Sequence, residues 1–468
     1  MFIGRERELK KLNEMYNSDK FEFAIIYGRR RVGKTFLIQE FIKNKKAIFY
    51  TALESNDKTN LENFSKSIFY LSMAGISSAP GFQDFQTALD YLHELSTTDR
   101  IILVIDEFPY LAKSYREISS ILQVQIDHKF IDSKLFLILC GSSMSFMENQ
   151  VLGYQSPLYG RRTAQFKLLP FDYLESGCFH PDYDLYDNAI IYGITGGIPL
   201  YLSQINSKKS VGENIVEHFF SPDSFMFEET SNLLKQELRE PQVYNGLITA
   251  IATGSSRLNE IAIKTGMETA VCGKYLASLI SLGIIKKEKP VLSDSSKRTI
   301  YRLADNMFRF WYRFIPQNAS QIYAGGGARV YENIGHQIST YMGEVFEEIC
   351  KQYLWKENIA ERLPFWFQEA GRWWGNNPKM KSEQEIDIIA YDDINAIFCE
   401  CKWTNTPVGR DVLDGLIEKS FMFYHNVKYY FLFSKSGYTA ECEQHAILLN
   451  ENTPVSNYIK LISFKDMA

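Results

Sequence analysis

Residues 28–35 read Gly-Arg-Arg-Arg-Val-Gly-Lys-Thr, a complete GxxxxGK[ST] pattern, and the apolar run Phe23-Ala24-Ile25-Ile26-Tyr27 leads directly into them. A buried strand before the pattern and an amphipathic helix after it, marked by Phe36, Leu37, Phe41 and Ile42, form the context in which this loop binds a nucleotide. Gly28 and Gly33 let backbone N–H groups close around a triphosphate. Lys34 reaches the β and γ oxygens, and Thr35 is placed to ligate Mg²⁺ at the positive end of the following helix. Arg29, Arg30 and Arg31 fill the unconstrained positions and are assigned no role.

A phosphate loop does not by itself identify the nucleotide or the reaction; an acidic residue at the end of another buried strand narrows both. Ile101-Ile102-Leu103-Val104-Ile105 ends in Asp106-Glu107. An Asp at a strand end beside the loop holds the Mg²⁺ shell, and the adjacent Glu polarises the attacking water. No Asn-Lys-x-Asp sequence of the guanine-reading kind occurs, which favours ATP. Leu135–Cys140 is a further buried run, and Gly141-Ser142-Ser143 follows it; either Ser142 or Ser143 is the hydroxyl that senses the γ-phosphate. In Tyr159-Gly160-Arg161-Arg162, one guanidinium is a candidate to neutralise charge developing on that phosphate, within the chain or across a subunit boundary.

These residues, with Phe2-Ile3-Gly4-Arg5-Glu6-Arg7-Glu8-Leu9 and Gly196-Gly197-Ile198-Pro199-Leu200-Tyr201, resemble the archaeal-type ATPases of the AAA superfamily, relatives of the STAND and origin-recognition groups. The resemblance implies that Phe2, Ile3 and Gly4 pack near adenine. It also implies that the Gly196–Pro199 turn opens a helical lid.

Apolar runs alternating with helical patterns over residues 1–205 predict an α/β P-loop core with a parallel sheet. Residues 206–320 turn mainly helical: Pro241–Thr253, Leu258–Ala262, Val271–Leu282, then a hairpin near Lys286–Leu303. This predicts a helical lid and winged helix, also expected from the resemblance, with two readings open: DNA contact through Lys297, Arg298 and Arg302, or a purely structural role. Ala324-Gly325-Gly326-Gly327-Ala328 predicts a linker over 321–340.

Residues 341–468 predict a third, α/β domain. Glu385–Tyr391 and Ala396–Trp403 read as two strands joined by the turn Asp392–Asn395. Residues two apart on a strand share a face, so Glu400 and Lys402 project together, and the turn sets Asp387 beside them. Two carboxylates there suit Mg²⁺ or Mn²⁺, and an adjacent ammonium suits the charge of phosphodiester cleavage. The Asp-x12-Glu-x-Lys arrangement resembles the PD-(D/E)xK restriction-endonuclease-like fold, with Ile386 where that signature carries proline. Glu347, on an upstream helix, is the further carboxylate the resemblance implies. Gly371-Arg372-Trp373-Trp374-Gly375 is either a base-stacking grip or a buried plug.

The length of 468 residues fits about three domains, and 45% hydrophobic residues suffice for packed cores. A net charge of −5 argues against a surface coated for nucleic acid while leaving local basic patches open. Seven cysteines lack paired spacing, which points to buried free thiols, a reducing cytoplasm and no structural zinc. No run is long enough to span a bilayer, and the N-terminus lacks an apolar signal region. Two functions from different classes stay open: an ATP-driven switch joined to a metal-dependent nuclease acting on DNA, or a signalling or scaffolding ATPase whose last domain binds a protein or DNA partner without cutting. Homo-oligomerisation is compatible with both.

Overall fold

The computed structural model describes residues 2–72, 81–293, 298–377, 382–453 and 458–468. Lys297, named above for DNA contact, lies outside them. The chain forms two compact units, Met1–Phe171 with Ile198–Leu200, and Asp172–Gly197 with Tyr201–Ala468.

The apolar runs of the first unit become strands β1 (Glu22–Tyr27), β2 (Ala47–Thr51), β3 (Ile101–Asp106) and β4 (Leu135–Gly141), and a fifth strand, β5 (Ala164–Lys167), joins them. All neighbours pair in parallel, in the order β2-β3-β4-β1-β5. Every residue of β1, β3 and β4 is buried, which is why these strands read as continuous apolar runs. The edge strand β5 alternates half-buried and exposed residues, and no apolar run announced it. Because β4 lies between β1 and β3, the ends of three adjacent strands carry the phosphate loop, the Ser142 turn and Asp106.

In the second unit, helices Pro241–Ala252, Leu258–Thr265 and Thr269–Ser281 precede an antiparallel hairpin of β6 (Ile285–Glu288) and β7 (Ile300–Leu303). The expected linker is mostly helix: Gly327 begins a single 33-residue helix, Gly327–Ile359, which runs through residue 341. Gly327 serves close packing rather than chain freedom, since a Cβ there would stand 2.2 Å from the carbonyl oxygen of Phe220.

The chain then forms a mixed sheet of β8 (Glu369–Asn377), β9 (Ser382–Tyr391), β10 (Asn395–Lys402), β11 (Val427–Ser434) and β12 (Ile459–Ser463), in the order β12-β11-β10-β9-β8. β9 is antiparallel to both neighbours, whereas β10, β11 and β12 are parallel. Parallel neighbours need crossovers, supplied by helices Arg410–Ser420 and Ala440–Glu451. The stretch Gly371–Gly375 lies within β8. Its Trp373 is buried edge-on against Phe423, ring centroids 5.1 Å apart, so that indole is core and not a base-stacking surface. All seven cysteines are free, and only Cys178 is exposed. Among the described residues no helix is long and apolar enough to cross a membrane.

Candidate functional site

In the first unit the loop after β1 is shaped by its glycines. A Cβ on Gly28 would stand 2.4 Å from the carbonyl oxygen of Leu168, so only glycine fits. Gly33 has φ +87°, a left-handed conformation that disfavours side chains. The helix Lys34–Ile42 starts immediately after, with its free N–H groups turned toward the loop. Lys34 is buried and its Nζ donates to the carbonyls of Gly28 (2.8 Å) and Arg29 (2.9 Å). The ammonium therefore stands inside the loop where phosphate oxygens bind.

Thr35 Oγ1 donates to Asp106 Oδ2 at 3.1 Å, which joins the start of that helix to the end of β3. Two hard oxygens at this spacing suit Mg²⁺, and Thr35 and Asp106 are the residues that would hold it. Bound with ATP, the ion neutralises charge on the β- and γ-phosphates.

Glu107 sits in a left-handed conformation at φ 51°, ψ 43°, unusual for a residue with a side chain. Its Oε2 accepts from Ser142 Oγ at 2.9 Å and from the Ser142 N–H at 3.4 Å. Of the two candidate serines, Ser142 is the one that touches Glu107. Arg161 grips both oxygens of Asp127, with Nε to Oδ1 at 2.7 Å and Nη2 to Oδ2 at 2.6 Å, so its fork is occupied within the chain. Arg162 lies within electrostatic range of Tyr27. Phe2 stacks on Phe36 with centroids 5.8 Å apart, which ties the N-terminal segment to the helix of the phosphate loop. Arg5 was not singled out in the sequence. It donates to the carbonyls of Val32 (3.2 Å) and Leu169 and stands 4.4 Å from the Phe171 ring centroid, bracing the loop from beneath. Its only sequence signal was its place in the quoted Phe2–Leu9 stretch; Gly4 and Arg5 both have positive φ.

The second unit holds another charged group. The register of β9 with β10, Ile388 opposite Cys399, sets Asp387 opposite Glu400. Asp387 Oδ2 accepts from the Cys401 N–H at 2.8 Å. Glu400 is buried and accepts from Lys402 Nζ at 2.6 Å through Oε1 and from Lys419 Nζ at 3.2 Å through Oε2. Lys419 had no sequence signal, because it arrives from the packed helix Arg410–Ser420. The long helix brings Glu347 close to Asp387. Burial, and then the charge of Asp387, pushes the Glu347 carboxyl up to about 8. Burial and the Glu400 charge push Asp387 up to about 6 against the pull of the Cys401 N–H. Burial works against the Lys402 ammonium, but Glu400 raises it above its ordinary value. The donors are of the right type for a hard cation, yet the two ammonium groups occupy the oxygens of Glu400. Among the described residues, no three His, Cys, Asp or Glu side chains converge as a metal-holding group.

Around Asp387 and Glu347 the walls of a small cavity carry Glu344, Arg302, Arg309 and Arg372. One of the two open readings gave Arg302 to DNA phosphates. Instead its Nη2 lies 2.9 Å from Glu344 Oε2 and its Nη1 3.9 Å from Glu288 Oε2. Burial alone would raise the Glu344 carboxyl, but Arg302 and Arg309 hold it below the usual range.

The loop, the acidic strand end and the Ser142 contact on a parallel sheet define a P-loop ATPase, and residues 2–205 match the family described as an ATPase domain predominantly from Archaea. Residues 311–412 match a second family, described as Archaea bacterial proteins of unknown function. The chain belongs to the same family as an uncharacterized protein of Methanocaldococcus jannaschii, MJECL04, to which it is 36% identical over 415 residues, 88% of this chain and 89% of the relative. It is also 52% identical over 46 residues to an uncharacterized ATP-binding protein of that organism, MJ0423, covering 10% of this chain and 78% of the relative. Among solved structures, the Walker-type ATPase PABY2304 of Pyrococcus abyssi shares the fold at a TM-score of 0.51 and 19% identity, over 67% of this chain and 96% of that one. The protein is an ATP-binding ATPase.

Proposed function

We propose that ATP turnover in the first unit drives a switch whose output is metal-dependent phosphodiester cleavage of DNA by the sheet β8–β12. The domain division is read as ATPase core 1–205, lid and winged helix 206–320, connector 321–340 and PD-(D/E)xK nuclease-like domain 341–468. In the first unit, Lys34 binds the β- and γ-phosphates, Glu107 takes the proton of the attacking water, and Ser142 orients that carboxylate. Arg161 or Arg162 supplies positive charge to the γ-phosphate of its own or a neighbouring chain. In the second, Asp387 and Glu400 are the residues that would hold Mg²⁺ or Mn²⁺, with Lys402 and Lys419 displaced from Glu400, Glu347 would adjust the charge of the pair, and Lys402 would face the scissile phosphate.

The observation that supports the nuclease-like reading is the convergence of Asp387, Glu400 and Lys402 from two strands, with Glu347 behind them. The test is cleavage of linear, circular and single-stranded DNA with Mg²⁺ or Mn²⁺, in ATP, in ADP and without nucleotide, set against Glu400→Gln. Cleavage that disappears in Glu400→Gln supports the proposal; cleavage that survives it sinks the assignment. One observation favours the second reading, a signalling or scaffolding ATPase with a non-cleaving partner-binding domain: both carboxylate oxygens of Glu400 are held by lysines. Nucleotide-gated binding of DNA or protein with no cleavage under any condition is its signature.

A further inference from the structure

Of the carboxylates in the second unit, Glu344, Glu347 and Asp387 line a small cavity together with Arg302 of the β6–β7 hairpin and Arg309 of the helix that follows it. Arg302 of β7 pairs with Glu344, one turn of the long helix from Glu347, at 2.9 Å. Lys286 of β6 approaches Glu348 at 3.7 Å, and Arg309 approaches Glu344 at 3.7 Å. Beyond β6, the Val291 N–H donates to the Arg372 carbonyl at 3.0 Å, so the hairpin backbone is fastened to edge strand β8. Val291 is itself buried in the core formed by Trp373 and Ile386.

This cover leaves about 40 Å³ at Asp387 and Glu347. That volume takes a water or two, whereas ligand clefts run to roughly 300 Å³ and more. A sugar–phosphate backbone does not reach Asp387 past the hairpin in this arrangement. The cover is also imperfectly paired: Arg309 Nη1, Arg372 Nε and Glu288 Oε2 are buried without a hydrogen-bond partner among the described residues. Buried polar atoms left in this way weaken the contact that holds them, so the closed form is poised rather than locked.

We propose that the β6–β7 hairpin is an autoinhibitory clasp. Held by Arg302 and Lys286 on the long helix and by Val291 on β8, it covers the Glu347–Asp387 end of the carboxylate group against nucleic acid, and its release exposes that end. The proposal rests on the nuclease-like reading for its consequence and on the hairpin contacts for its existence, and the two are separated by measuring both. Glu344→Lys places a cation against Arg302 and Arg309 and repels the clasp; Glu344→Lys with Arg302→Glu restores an opposite-charge pair. In the full chain, hydrogen exchange of segments 285–288 and 300–303 reports the clasp, and cleavage of linear duplex DNA in Mn²⁺ reports access. ATP turnover serves as the check that the chain is folded, and Glu344→Gln serves as a milder variant.

The expected result is at least tenfold faster exchange and tenfold more cleavage in Glu344→Lys, both returned toward wild type in the double variant. Unchanged exchange in both Glu344 variants overturns the clasp. Faster exchange with no gain in cleavage, in a wild type that does cut, overturns its role as a gate. Faster exchange restored in the double variant, with no protein cutting at all, upholds the clasp and removes the nuclease reading instead.

Discussion

Replacing Glu107 by Gln tests the reading of the ATPase site most directly, because the structure separates what the carboxylate does chemically from what it does for the fold. Its structural contact is with Ser142, whose Oγ donates at 2.9 Å. A glutamine carbonyl still accepts that bond, so unfolding stability changes by less than the ~1 kcal/mol that a hydrogen bond contributes. Lys34 keeps its contacts with the Gly28 and Arg29 carbonyls and Thr35 its contact with Asp106, so nucleotide affinity holds. What disappears is the capacity to take a proton from water. A general base contributes roughly 10²- to 10⁴-fold, or about 3–5 kcal/mol of barrier. Phosphate release under saturating ATP should therefore fall by at least about 100-fold, while binding of a fluorescent ATP analogue and the midpoint of thermal unfolding stay near wild type. A variant that hydrolyses ATP within a few-fold of wild type would refute the assignment of Glu107; one that loses ATP binding as well would show that the carboxylate shapes the pocket.

Gly28→Ala should abolish ATP binding in titration and lower the unfolding midpoint, since its Cβ would meet the Leu168 carbonyl at 2.4 Å. Trp373→Ala should destabilise the second unit by ~3–5 kcal/mol, the usual cost of removing a buried large aromatic, read by denaturant unfolding; a drop in DNA affinity with unchanged stability would contradict its place in the core. The Glu347 carboxyl is raised from 4.5 to about 8 in the folded chain, so between those values the folded state holds a proton that the unfolded state has released. Stability should accordingly fall as pH rises through that window and level off above it, and thermal melts in chelator should show a flatter profile for Glu347→Gln. Should the slope persist in that variant, another group carries it.

The ATPase core was readable from sequence because its chemistry lies at the ends of uninterrupted apolar runs. β1, β3 and β4 are buried on both faces, so each strand announced itself and the polar residues that follow it stood out. β5 was invisible for the converse reason: a four-residue edge strand with alternating burial has no apolar run to detect. The glycines at 325–327 misled because freedom and close packing favour the same residue. Only the position of the Phe220 carbonyl shows that Gly327 is there for contact. Trp373 and Trp374 between basic residues were ambiguous because a nine-residue edge strand presents alternate side chains to opposite faces, and the phase of that alternation is set by pairing with β9.

The two acidic pairs differ in how far their meaning depends on tertiary structure. Asp106 and Glu107 are neighbours on one strand end, so their roles follow from a single local event, the left-handed turn at Glu107 that sends its carboxylate to Ser142 while Asp106 stays with Thr35. Asp387 and Glu400 meet only through the β9–β10 register; Glu400 is then neutralised by Lys402 of β10 and Lys419 of helix Arg410–Ser420, while Glu347 of the long helix, its own carboxyl pushed up by Asp387, stands behind them. Local spacing names such residues without stating whether they are exposed to substrate. Two cations of the β6–β7 hairpin are engaged, Arg302 with Glu344 and Lys286 with Glu288 and Glu348, while Lys287 faces solvent. A cationic hairpin beside an acidic group would ordinarily suggest a nucleic-acid grip. With Arg302 already paired to the long helix, the proposed clasp must give up that partner before it can open, so its opening is expected to depend on ionic strength as well as on sequence.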